Sequence, residues 1–343
     1  MSAAGLSGSS FQPPFLTVIP PPRAAQGRAG RWRRNLTFDK ISLFVVFLGL
    51  PLALYITFVV SPLIQAVSYS FTDWSGFTAD FKPVGLANYV KILSDDTFQK
   101  AMFNNAVLAI IVPLVIIVLS LALATLVTVG GSGTGQIRGI KGAGFYRIIS
   151  FFPYAVPAIA IGVMWNLIFD PSSGLVNGIL TRLGFSQFNS FPWLGDVRTA
   201  RPTMMFVIVW GFVGFYMVLF IAAIKGVPAE IFEAARIDGA GRLRTALSIT
   251  IPLIRENVQT AYIYLGIMAM DAFVYAQALN PQGGPNNSTL TMSQELLTTA
   301  FNKGQFGVAC AMGVVMGLMT VLFAAVVFTV NRVSGGKDRV TLA

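Results

Sequence analysis

Asp271 is the one acidic residue well inside any stretch of this chain apolar enough to cross a membrane, and Phe273 and Tyr275 follow it two and four positions on. A carboxylate accepts hydrogen bonds from hydroxyls, and an aromatic plane stacks on a flat apolar surface. One helical turn separates Asp271 from Tyr275, so a continuous helix puts both on one face with Phe273 roughly opposite. Trp210 and Phe215 lie in the preceding apolar stretch, among aromatics most of which serve as packing or interface anchors. Asp271 could equally cap a broken helix or pair with a basic group on another span.

Other chemistries lack their residues. There is no histidine and a single cysteine, Cys310, which removes the commonest general base, the commonest metal ligand, thiolate clusters and disulfides. Cys310 sits between Ala309 and Ala311 and reads as a place of close helix packing. A phosphate-binding loop ending in Gly-Lys-Ser/Thr is absent, since Lys337 follows Gly336 but precedes Asp338. The glycine-rich stretch from Gly130 to Gly144 lacks G-x-G-x-x-G spacing and reads as a flexible hairpin between spans. No catalytic residue and no metal site follow from these residues.

The elements that must position these side chains are membrane spans. Of 343 residues 55% are hydrophobic and only 11% charged, with a mean hydropathy of +0.69, whereas soluble domains carry about 25% charged residues. Six stretches can cross the hydrocarbon, near 41–66, 105–129, 147–169, 203–224, 257–279 and 307–330. Of the 24 Lys and Arg, 17 fall in the two tails and the second and fourth loops. That bias places both termini and the long fourth loop in the cytoplasm. The net charge of +10 is then an orientation signal touching anionic lipid, with no nucleic acid implied. Residues 1–40, rich in Ser, Gly, Pro and Arg, read as a disordered basic cytoplasmic tail and not as a cleaved signal peptide.

The loop from Lys225 to Glu256 is long and patterned. Pro228 suits a first helical turn, and Glu230 and Glu233 sit near the positive end of that helix. Ile231, Ala234 and Ala235 fall on one face, and Gly239 ends the helix. A second short helix from Gly241 to Thr250 follows, with Pro252 punctuating the start of the fifth span. The expected result is a helix-turn-helix with a small, alanine-rich face that another protein can approach closely.

The run Glu233-Ala234-Ala235-Arg236-Ile237-Asp238-Gly239-Ala240, with Ile249 and Ile251-Pro252 beyond it, resembles the EAA loop of ABC-importer permeases. The resemblance extends to the carbohydrate-uptake class and to its maltose- and lactose-type first permease. Ser70-Phe71-Thr72-Asp73-Trp74 and Gly85-Leu86-Ala87-Asn88-Tyr89 resemble its first external loop. Phe151-Phe152-Pro153-Tyr154, Pro157, Trp165, Phe169-Asp170-Pro171, Gly174-Leu175 and Asn177 resemble its third span and the loop after it. Gly283-Gly284-Pro285, Asn286-Asn287, Thr289, Phe301, Phe306-Gly307 and Ala309 resemble the approach to its last span. Ala246 departs where the family usually has an aromatic, and Glu256 where it often has proline.

The resemblance implies an all-α polytopic protein of the bacterial inner membrane, with the six-span type I importer permease fold over 41–330, including the coupling loop 225–256. A cytoplasmic tail follows at 331–343. It implies a second homologous permease, two ATP-binding subunits, an extracytoplasmic sugar-binding protein and a carbohydrate substrate. ATP would be bound by the partner subunits, so this chain is neither an enzyme nor the holder of a cofactor. It also implies that Glu233, Ala234, Ala235, Asp238, Gly239 and Ala240 couple the chain to the ATPase. Asp271, Tyr275, Trp210 and Phe215 remain the candidates for the substrate path. The alternative is an ion-coupled secondary sugar carrier, which usually needs several ionisable groups inside the membrane where this chain offers Asp271 alone. A membrane scaffold without transport is a third reading.

Overall fold

The computed structural model describes residues 42–78, 80–128 and 142–335. The expectations for the basic tail, for most of the glycine-rich hairpin and for the last C-terminal residues lie outside the described residues. Two units divide between Ser61 and Pro62. Helix α1 (Ser42–Tyr69) accounts for the described part of the first unit and contributes its last turns to the second.

In the second unit, α2 (Ala87–Leu93) leads into α3 (Asp96–Thr128). The Asp95 carboxylate starts α3 by accepting from the Thr97 and Phe98 amides at 2.7 and 3.2 Å. The helix therefore begins nine residues before the apolar run that marks the second span, and its 33 residues reach about 50 Å. The third span is bent by 97° between α4 (Ala143–Ala155) and α5 (Ala158–Ile168). Pro157 explains the bend: it lacks an N–H and holds Val156 in an extended conformation (φ −87°, ψ 135°). Helices α6 (Leu175–Arg182) and α7 (Ala200–Lys225) follow, then α8 (Ala229–Ile237) and α9 (Leu243–Leu253) of the long loop.

The fifth span is also bent, by 48°, between α10 (Arg255–Met270) and α11 (Phe273–Leu279). After α12 (Met292–Leu297), α13 (Phe306–Gly335) forms the sixth span and continues past position 330, where the sequence suggested a tail. With each bent pair taken as one span there are six. Among the described residues there is no sheet, only an isolated bridge between Thr72 and Pro83.

Helices α3, α7, α10 and α11 enclose the main core, whose fully buried members include Leu108, Ile116, Ile208, Phe220, Leu265 and Leu279. Lipid gives no hydrophobic drive between helices, so close approach through small residues is what holds such a bundle. Gly214 shows this: a Cβ there would lie 1.6 Å from the Ser150 carbonyl oxygen, so α7 crosses directly over the backbone of α4. A smaller cluster of Ile92, Phe98, Leu290, Met292 and Met312 joins α2, the start of α3 and α13.

Candidate functional site

The break in the fifth span sits at Asp271 (φ −112°, ψ 53°) and Ala272, where no proline forces it. It is held from outside the helix. The Asn105 side-chain amide of α3 donates to the Met270 carbonyl that the break frees, and its Oδ1 accepts from the Met292 N–H at 2.9 Å. Asn104 beside it donates to the carbonyls of Asn287 and Leu290 at 2.9 and 2.8 Å. Both asparagines are buried, and together they satisfy backbone groups that hydrocarbon could not. Asn105, which supports the break, is a residue that the sequence reading passes over; a polar pair inside an apolar run is the signal that marks it.

This break corrects the expectation that Asp271 and Tyr275 share a helix face. The i, i+4 relation holds only along a continuous helix. Asp271 ends α10 exposed, its Oδ1 accepting from the Ser293 hydroxyl at 3.2 Å, whereas Tyr275 is buried in the core with its ring 6.3 Å from that of Phe212. Phe273 is half-buried. Trp210 packs edge-on against Trp165 at 5.4 Å, and Trp165 stacks on Phe169 at 5.1 Å, a cluster that reads as packing.

Of the four path candidates, Phe215 lines the cavity between α4, α7 and α10. It stacks on Tyr154 of α4 with ring centroids 4.3 Å apart and planes 22° from parallel. These two rings, with Tyr216 and Leu219 of α7, form one wall of a space of about 610 Å³. The opposite wall is α10, where Asn257, Thr260, Ala261 and Tyr264 stand at i, i+3, i+4 and i+7, with Glu256 at the rim. That spacing runs about 12 Å along the helix, from Glu256 beside the long loop to Tyr264 nearer the middle of the span. Such an aromatic cavity with a few convergent polar groups is the usual form of a small-molecule site. The polar stripe 257, 260, 264 was legible in the sequence, but residue type alone does not distinguish its members from ordinary span residues.

The long loop is docked by one face and open on the other. Phe232 and Ala235 of α8 are buried, while Glu233, Ala234, Asp238 and Gly239 are exposed and Ala240 is half-buried. The expected grouping of Ile231, Ala234 and Ala235 on one face therefore separates: Phe232, larger than any of them, turns the helix so that Ala235 goes inward and Ala234 outward. Gly239 ends α8 with φ +74°, its N–H donating to the Arg236 carbonyl at 3.1 Å and that of Ala240 to the Ala235 carbonyl at 2.9 Å. This is the doubly bonded glycine cap that a left-handed residue permits. Ile237 and Leu243 flank the turn at 87% and 72% exposure, two large apolar side chains presented outward. The second helix passes through Pro252 to Leu253, three residues beyond the expected Thr250, because Pro252 stands in the first turn after a wide turn at Ala246–Thr250 and displaces no needed N–H.

Three further residues of the resemblance, Asn88, Asn177 and Asp170, tie loop backbone together between the spans. Asn88 donates to the carbonyls of Ser70 and Thr72, both at 2.8 Å. Asn177 donates to the Phe191 carbonyl at 3.0 Å and accepts from the Trp193 indole at 2.7 Å. The Asp170 carboxylate accepts from the hydroxyl of Ser172, the amides of Ser173 and Ser172 and the hydroxyl of Ser173, which together hold its pKa at about 2.

Comparison with known proteins agrees with this architecture. The family described as binding-protein-dependent transport system inner membrane component matches residues 127–336. The diacetylchitobiose uptake system permease protein NgcF of Streptomyces coelicolor is 58% identical over 319 residues, covering 93% of this chain and 90% of that protein. The multiple sugar-binding transport system permease protein MsmF of Streptococcus mutans is 31% identical, covering 80% of this chain and 92% of its own. In three dimensions, a bacterial ABC transporter involved in the import of alginate superposes with a TM-score of 0.72 at 18% identity, covering 89% of this chain and 97% of that chain, a likeness of fold. The chain belongs to the inner-membrane permease components of binding-protein-dependent transport systems.

Proposed function

We propose that this chain is one permease subunit of an ATP-driven importer of a neutral oligosaccharide, with diacetylchitobiose as the first candidate. The observation that carries this reading is the 58% identity, over nearly the whole of both chains, to a permease named for the uptake of that disaccharide. Diacetylchitobiose joins two N-acetylated amino sugars, whose rings offer apolar faces for stacking and amides for hydrogen bonding. The Tyr154–Phe215 pair and the stripe of Asn257, Thr260 and Tyr264 supply the complementary surfaces.

In this reading a second, homologous permease completes the path, an external binding protein delivers the sugar, and two ATP-binding subunits sit beneath the coupling loops. Both termini are cytoplasmic. Glu233, Ala234 and Asp238, with Ile237 and Leu243, form the surface that docks on the ATPase, while Phe232 and Ala235 transmit its movement into the core beside α7. Closure of the ATPase pair then switches the path between inward- and outward-facing states. Asp271 at the helix break stays a candidate for the outer part of the path. The chain performs no covalent chemistry.

The test is uptake of labelled diacetylchitobiose into proteoliposomes carrying the assembled complex. Uptake should require both ATP and the binding protein and should survive collapse of ion gradients. Uptake driven by an ion gradient without ATP, or no uptake of this disaccharide, would overturn the reading.

A further inference from the structure

The polar groups of the cavity are unbalanced. Among the described residues that line it, Glu256 is the one carboxylate and there is no lysine or arginine. The Thr260 hydroxyl spends its proton on the Glu256 backbone carbonyl at 2.8 Å, so it turns lone pairs towards the space. The Asn257 amide offers one acceptor and two donors. The edge of the cavity formed by Glu256, Asn257 and Thr260 is therefore rich in acceptors and negatively charged, opposite the flat Tyr154–Phe215 wall.

Resting on the reading above, we propose that this edge selects saccharides by charge. It accepts neutral N-acetylated amino sugars, favours their de-acetylated, cationic forms, and refuses acidic saccharides. A pyranose ring stacked on Tyr154 and Phe215 turns its edge substituents towards α10. An acetamido group there donates its N–H to Thr260 or Asn257 and accepts from the Asn257 amide. When the acetyl group is missing, the ammonium donates up to three hydrogen bonds to the same acceptors and gains the attraction of Glu256. A uronate or phosphate ester brings only acceptors and a charge like that of Glu256, finds donors only in the Asn257 amide and the tyrosine hydroxyls, and meets no cation among the described lining residues. Glu256 is exposed, so its field is screened by water and the preference is moderate, about fivefold for each unit of ligand charge.

Weak binding can be read directly by saturation-transfer NMR on the assembled, nucleotide-free complex in nanodiscs, without the binding protein that otherwise decides what is delivered. The probes are diacetylchitobiose, the same disaccharide with both acetyl groups removed, and a uronic-acid disaccharide. The cationic form should bind at least about fivefold more tightly than the neutral one, the acidic form about fivefold more weakly or not at all. Glu256→Gln should remove the cationic advantage, and Asn257→Leu should weaken the neutral disaccharide most. Equal affinities for all three charges in the native complex, an unchanged ranking in Glu256→Gln, or no binding of any probe would overturn the proposal. Loss of the charge ranking with uptake of diacetylchitobiose intact rejects this inference alone, whereas an intact ranking with no uptake of that sugar rejects the substrate reading alone.

Discussion

Replacing Asn105 by leucine removes in one step the donor to the Met270 carbonyl and the acceptor of the Met292 N–H. The site is 0% exposed, so water replaces neither partner. A buried backbone group left unpaired costs about 1–3 kcal/mol, which for two groups gives about 2–6 kcal/mol. Hydrogen bonds measured inside membranes average nearer about 0.6 kcal/mol, because the unfolded chain in lipid finds other partners, and two of them set a floor of about 1 kcal/mol. Leucine branches as asparagine does, with the same number of side-chain heavy atoms, and is no smaller, so no cavity adds to either figure. The expected loss therefore lies between those limits and falls on the break between α10 and α11. Steric-trapping measurements in bicelles should show the loss of stability, and proteoliposome uptake should fall with it as the break straightens or frays. Asn105→Asp keeps an acceptor for Met292 but turns a second carboxylate oxygen on the Met270 carbonyl, so it should rescue neither property. Native stability and uptake in Asn105→Leu, or full rescue by Asn105→Asp, would refute the claim that this carboxamide holds the break.

Gly214→Ala should prevent the α4–α7 crossing, since its Cβ would meet the Ser150 carbonyl oxygen at 1.6 Å, whereas Gly178→Ala on α6 meets nothing within 4 Å; equal yields of folded complex from the two variants would contradict the packing. Gly239→Val meets no neighbour, so only its φ of +74° opposes it, at roughly 1 kcal/mol or more. With Glu233→Lys it should leave insertion intact but lower sugar-stimulated ATP hydrolysis, and normal hydrolysis by both would reduce the loop to a surface hairpin. Phe215→Ala, which opens the stacked wall, should reduce uptake at unchanged assembly, while Tyr275→Ala should lower assembly because its buried ring belongs to the core; the reverse pattern would exchange their roles. Asp170, held at about 2 against an ordinary value of 3.8, stabilises its turn above 3.8 and loses that effect as pH falls from 3.8 towards 2. Hydrogen exchange at the Ser172 and Ser173 amides should accelerate relative to its neighbours through that window and lose this dependence in Asp170→Asn.

The sequence by itself determined the solvent, the spans and the helix-turn-helix of the long fourth loop. Hydropathy is a sum over neighbours in the chain, and an apolar helix in lipid satisfies its own backbone, so a run such as 203–224 needs no partner to be recognised as a span. Gly239 was equally legible, because a left-handed helix cap depends on that residue's own dihedrals and is seen at φ +74°. The break at Asp271 was not. No residue within it forbids a helix, and it exists because Asn105, 165 positions earlier, supplies the bond its carbonyl needs. The same cause undid the shared face of Asp271 and Tyr275 and left Phe215, of the four path candidates, as the one facing the cavity. That cavity is a relation between α4, α7 and α10, and the bend at Pro157 that brings Tyr154 to Phe215 could be foreseen as a break but not in its direction. Local preferences act along the chain, whereas a cavity wall is chosen by which helices meet, and only the packed structure decides that.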